Sequence, residues 1–114
     1  MNKTLVAASL VLSTLLPTLA MALPPAPSFQ GKVLEIFMND SSVLVQVEGG
    51  VKGECKGSFA NYNLTFDFAD AQAQTKLDLI RDAFLHGKTI AGWVKGCGSS
   101  NINKLNQFAI AHSW

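Results

Sequence analysis

Between residues 30 and 114 a single stretch carries an apolar stripe at helical spacing, and it falls between three strand-like runs and two more. Ala73, Leu77, Ile80 and Phe84 recur at the three-to-four residue interval that lines one face of a helix. Asp70 stands where an N-cap side chain would take a free backbone N–H, and Gly87 fits the position just past a helix end. The spacing predicts one helix over residues 71–86. Upstream, Gln30–Met38 is apolar and rich in β-formers, Asn39-Asp40-Ser41-Ser42 is turn chemistry, and Val43, Val45 and Val47 alternate with Leu44, Gln46 and Glu48. These two runs are close enough to form a hairpin. Gly49-Gly50 and Gly53 mark a loop, with Cys55 in or just before a third strand. In that strand Tyr62, Leu64, Phe66 and Phe68 point one way, and Asn61, Asn63, Thr65 and Asp67 point to the polar side. Downstream, Thr89–Lys95 reads as a strand with Ile90 and Val94 on one side and Trp93 on the other. A tight, flexible loop of Gly96-Cys97-Gly98-Ser99-Ser100 follows. The last strand lies within Ile102–Trp114, with Phe108, Ile110 and His112 on one face.

The order β-β-β-α-β-β makes the chain mainly β with one helix. It is the order of the OB-fold, a small Greek-key barrel whose end is capped by the helix stripe. The alternative is an open α+β sandwich with the helix packed on an antiparallel sheet. A closed barrel leaves no exposed strand edges, which suits an exported protein.

Export is the expectation from the N-terminus. Lys3 supplies a positive start, Leu5–Leu16 is an apolar run, and Ala20-Met21-Ala22 has the small residues that signal peptidase requires at Ala20 and Ala22. The run falls short of the roughly 18–20 apolar residues of a membrane anchor, and Pro17 interrupts it. The division is therefore a signal peptide over 1–22, a proline-rich extended lead-in over 23–29, and one domain over 30–114, placed in the periplasm or secreted. The whole chain is +1, and losing Lys3 leaves basic and acidic side chains in balance. That argues against nucleic-acid binding, which needs a basic stripe, and against binding an anionic membrane. It is compatible with a homo-oligomer, because little self-repulsion opposes one. In an oxidising compartment Cys55 and Cys97 read as one disulfide, with a chain-entropy contribution of roughly 4 kcal/mol.

No catalytic constellation appears, and the expectation is a non-enzyme with no cofactor and no metal. Ser99 and Ser100 lie in a Gly-rich loop without a nucleophile elbow. His86 sits in the last helical turn, where a cation meets the helix dipole, and His112 reads as structural. Asp67, Asp70, Asp78 and Asp82 lack the spacing of a calcium loop. Asn63-Leu64-Thr65 matches a glycosylation sequon by coincidence. Asn61, Tyr62, Trp93 and Trp114 are candidates for an aromatic ligand platform, against the plainer reading that Tyr62 is core and the tryptophans close the barrel ends. The loop between the last two strands offers Gly98, Ser99, Ser100, Asn101 and Asn103, held by the disulfide, as the other candidate ligand contacts.

The succession of Cys55, the aromatic strand ending in Phe68, Lys76-Leu77-Asp78-Leu79-Ile80, Gly87-Lys88-Thr89-Ile90 and Cys97 is similar to the B subunits of secreted bacterial AB5 toxins, especially the subtilase-cytotoxin-like and pertussis-like group. The resemblance covers about residues 30–112. It implies a disulfide-bonded OB-fold that forms a pentameric ring and binds cell-surface glycans; no glycan-contact residue carries over. The expectation is an exported, non-enzymatic module that recognises a glycan or protein partner, as a ring-forming toxin-B-like oligomer. The alternative is a monomeric periplasmic envelope protein with a structural, stress-related or inhibitory role.

Overall fold

A computed structural model describes residues 26–112. The expected leader over 1–22 with Ala20 and Ala22, and Trp114, lie outside the described residues. Five strands and one helix follow in the expected order: β1 Phe29–Met38, β2 Ser42–Val47, β3 Leu64–Asp67, α1 Ala73–His86, β4 Thr89–Cys97 and β5 Asn103–Ala111. The strands close into a barrel in the ring order β1-β2-β3-β5-β4. All neighbours are antiparallel except β3 and β5, which meet in parallel at Thr65↔Lys104. The open sandwich is thereby excluded.

The β1–β2 hairpin forms because Asn39 organises its turn. Its Oδ1 accepts the N–H groups of Ser41 and Ser42 at 2.9 and 2.8 Å, and Asn39 N–H donates to Ser42 O. Such Asx chemistry supplies the bonds a bare turn lacks. Beyond the turn, alternation sends Val43, Val45 and Val47 inward, where they meet Leu64, Phe66, Ile90 and Leu105. Residues Phe29 and Val33 of β1 complete this wall. The helix closes one end of the barrel with Ala73, Leu77, Ile80 and Ala83, all buried.

Several expectations need correcting. The helix begins at Ala73, with Gln72 rather than Asp70 as its N-cap, in the left-handed region at φ 61°. The Asp70 carboxylate instead accepts Asp67 N–H at 2.8 Å and closes the turn after β3, a local bond that competes with capping. Phe84 is 43% exposed, and Ala83 takes the buried place. The stripe itself is right in angle, but the last turn overruns the barrel, so Phe84 borders a surface groove with Ile36 and Met38. β3 begins only at Leu64: Tyr62 belongs to a tight turn, and Cys55 lies well before the strand in the β2–β3 connection. Finally, Thr65 is fully buried rather than on a polar face, its Oγ1 donating to Val43 O at 2.9 Å. Past β3, Phe68 is exposed, and His112 is exposed beyond the end of β5. Gly87 does end the helix, at φ 62° with its N–H on Ala83 O.

Candidate functional site

Leu44 is 2% exposed yet stands outside the barrel's core cluster. It alternates with the inward valines of β2 and pairs with Phe37 on one side and Thr65 on the other. The outer wall of β1, β2 and β3 thus carries a second, covered layer, and two chain segments build it.

The first cover is a clasp between the β2–β3 connection and the β4–β5 loop. Cys55 and Cys97 form the disulfide, their Cα atoms 5.8 Å apart. Gly57 N–H donates to Asn101 O at 2.9 Å, and Cys55 N–H donates to Asn103 Oδ1 at 3.2 Å. Ser99–Asn101 winds into a short 3₁₀ turn, with Ser100 and Asn101 at φ 57° and 58°. Gly98 lies against the Thr65 methyl group, where a side chain would come within 2.7 Å of it. The loop expected to be flexible is therefore fastened down on the barrel wall. Of the residues proposed from sequence, Ser100 and Asn101 are exposed, Gly98 and Ser99 are half-buried, and Asn103 is buried with its acceptor used inside the fold.

The second cover is aromatic. Phe37 reaches outward from β1, and the turn Phe59–Tyr62 brings two more rings to it. Ring centroids are 5.6 Å apart for Phe37–Phe59, 5.7 Å for Phe37–Tyr62 and 5.9 Å for Phe59–Tyr62. Phe59 and Tyr62 stack at 23°, and Phe37 is tilted against both. These are the distances of favourable aromatic pairs. The turn is fixed by Tyr62 N–H on Phe59 O at 3.1 Å, with Ala60 at φ 50°. A left-handed alanine costs of order 1 kcal/mol, which places local strain at the tip of this surface. Asn63 then anchors the turn to β2 through its side-chain amide.

Phe59 remains 44% exposed, a large value for a ring with two aromatic neighbours. Asn61 is exposed at the tip of the same turn. Glu35 and Phe37 share the outward side of β1, the side on which Tyr62 packs against Phe37. Desolvation, then the hydrogen bond and charge of Glu35, push the Tyr62 phenol above its usual range. The result is a ring surface edged by a carboxylate, a phenol and an amide.

The structure brings Asn61 and Tyr62 together but keeps Trp93 apart from them. Trp93 lies on β4 and pairs with Gln107 of β5, and β4 borders only the first half of β1. Its indole nitrogen is buried and has no hydrogen-bond partner among the described residues. Phe37 and Phe59 were not foreseen from the sequence. A bulge between Val33 and Glu35 sets the phase that turns Phe37 outward, and the only hint at Phe59 is a lone aromatic in a Gly/Ser/Ala-rich connection.

Charged groups elsewhere serve the scaffold. Lys104 on β5 lies 3.0 Å from Asp70 and 3.5 Å from Asp67. The Asp67 N–H, then Lys104, hold the Asp70 carboxyl below its usual range, and the Asp70 hydrogen bond raises Lys104. At the helix end Asp82 is paired with Lys88 at 2.9 Å and with His86 at 3.1 Å. No group of three His, Cys, Asp or Glu side chains capable of holding a metal ion occurs among the described residues. No helix among them is long and apolar enough to cross a membrane.

Compared with protein-family models, with curated proteins and with solved structures, the chain matches none of them.

Proposed function

We propose that the chain is an exported, non-enzymatic binding module of the OB-fold type that recognises a glycan or protein partner through the Phe37–Phe59–Tyr62 surface. The fold assignment rests on the ring order, the parallel β3–β5 contact and the place of α1 between β3 and β4, an arrangement that OB-folds share. OB-folds commonly bind on the outer barrel wall beside their loops, where this surface lies. The resemblance to toxin B subunits points the same way.

The observation that carries the reading is the exposed, preassembled ring cluster. Burying rings stabilises a fold when they leave water; here three are gathered and two of them, Phe37 and Phe59, stay exposed. Such rings offer C–H-accepting faces to the apolar side of a sugar or to an apolar side chain. Glu35 accepts hydrogen bonds from ligand hydroxyl or amide groups, and Asn61 donates and accepts. Because the fold already holds the rings together, a ligand meets little ordering cost on binding. The test is a screen of the purified protein on immobilised glycans and on envelope extracts, alongside Phe59→Ala. The reading expects a retained ligand whose capture falls at least about tenfold with Phe59→Ala. Equal capture by both proteins would sink it.

A further inference from the structure

The ring surface carries a carboxylate with no cation of its own. Glu35 and Phe37 stand two residues apart on the outward side of β1, roughly 7 Å along the strand. Glu35 is exposed, and none of the ion pairs among the described residues uses it. Lys104, which faces Thr65 from β5, is held by Asp70 and Asp67. Lys32 lies on the far side of the bulge between Val33 and Glu35, in the half of β1 that pairs with β4.

A carboxylate beside open rings restricts what can bind. A neutral ligand laid over the rings takes water from Glu35 and offers no charge in return, which costs free energy. An anion is repelled. A cation suits both components, because aromatic faces are negative and attract a cation within about 6 Å of the ring centroid. The packing of the rings then selects the shape of the cation. Their centroids are 5.6 to 5.9 Å apart, so the rings touch and enclose no box for a round ammonium. Only outer faces are open, and Phe37 and Phe59 are 37% and 44% exposed. A guanidinium is flat and more weakly hydrated than an ammonium. It stacks on such a face while its fork of N–H donors meets a carboxylate.

We infer that this surface takes an arginine side chain of a protein partner, the guanidinium lying over Phe37 with its N–H groups on the Glu35 carboxylate. The inference rests on the ring surface being the binding site, and it narrows the ligand from a glycan or protein to a protein that presents an exposed arginine. Two neighbours fit that role. The Tyr62 phenol is raised by desolvation, then by the hydrogen bond and charge of Glu35, so it stays neutral and adds no second negative charge. Asn61, exposed at the tip of the turn, offers a donor and an acceptor to the backbone on either side of the arginine.

Two-dimensional NMR of the purified protein tests it, with three probes added in turn at equal ionic strength: N-acetyl-arginine amide, its lysine counterpart and its uncharged citrulline counterpart. The expected result is a set of saturable shifts at Glu35, Phe37 and Tyr62 with arginine, at least about fivefold weaker binding of lysine, and no response to citrulline. Glu35→Gln, an exposed position whose change leaves thermal unfolding in place, should weaken arginine binding at least about fivefold. No response to arginine up to about 50 mM overturns the inference. So does a citrulline or lysine response equal to that of arginine, or arginine binding that Glu35→Gln leaves unchanged. Capture of a screened partner separates this failure from failure of the ring surface itself. A partner lost with Phe59→Ala but kept by Glu35→Gln leaves the surface as the binding site and removes only the arginine.

Discussion

The side-chain amide of Asn63 takes both backbone groups of Val47. Its Oδ1 accepts Val47 N–H at 2.9 Å, and its Nδ2 donates to Val47 O at 3.0 Å. An amide side chain has the donor and acceptor of a peptide group, so Asn63 prolongs the pairing of β2 one step before β3 begins. The same bonds fix the residue next to Tyr62 and so hold the ring surface in register with the barrel. Asn63→Ala leaves both groups of a buried residue without partners, and a loss of about 2 kcal/mol is expected. Urea unfolding with an unchanged slope checks it.

The disulfide contributes to stability and to the outer wall. Cys55 and Cys97 are 42 residues apart, and removing the bond through Cys55→Ser/Cys97→Ser is expected to cost up to about 4 kcal/mol. Freed of it, the Gly57–Asn101 contact and the cover over Thr65 loosen. Amide exchange at Thr65 and Phe66 is expected to quicken more than at Ile90 on β4. Comparing exchange rates in the wild type and the double variant measures this.

Acid acts through Asp70. Its carboxyl sits below the ordinary value of 3.8 because of the Asp67 N–H and then Lys104. Its stabilising share is therefore complete above that value and is lost as pH falls through the lower, folded-state value. Asp70→Asn keeps an acceptor for Asp67 N–H but gives up the Lys104 ion pair, and should cost about 1 kcal/mol at neutral pH. The difference from wild type should shrink as pH drops below 3.8, as followed by melting temperature against pH. Lys104 works in the opposite sense: raised above 10.5, it contributes below that value and ceases to do so as pH rises through its folded value.

Much of this architecture was legible in the sequence because it rests on local chemistry. The valine alternation of β2, the Asn39 turn and the Gly87 helix end each depend on neighbours within a few residues. The helix start departs from the sequence expectation because Asp70 has two local bonds open to it and the strand-end turn wins. Thr65 departs from it because its burial depends on Gly98, far along the chain. For the same reason the ring surface was only half visible. Tyr62 and Asn61 stood out within an alternating run, but Phe37 joins them through a bulge in β1 and Phe59 through a turn with a left-handed alanine. The composition of the loop Gly98–Asn101 points to a ligand loop, whereas the Cys55 region fastens half of it against the barrel.

The ring surface is the centre of the functional account, and two substitutions on it separate binding from folding. Phe59→Ala removes an exposed ring, so its cost to stability should stay near 1 kcal/mol. Glu35→Gln keeps the shape of the rim and removes its charge. It should lower the Tyr62 phenol toward its usual range, which ultraviolet titration of the single tyrosine reads directly.

The most direct test is a two-dimensional NMR titration of the protein with whichever glycan or partner the screen retains, repeated with Phe59→Ala. The account predicts saturable shifts centred on Glu35, Phe37, Phe59, Asn61 and Tyr62, absent in the variant. Shifts confined to β4 around Trp93, or undiminished in Phe59→Ala, would contradict it.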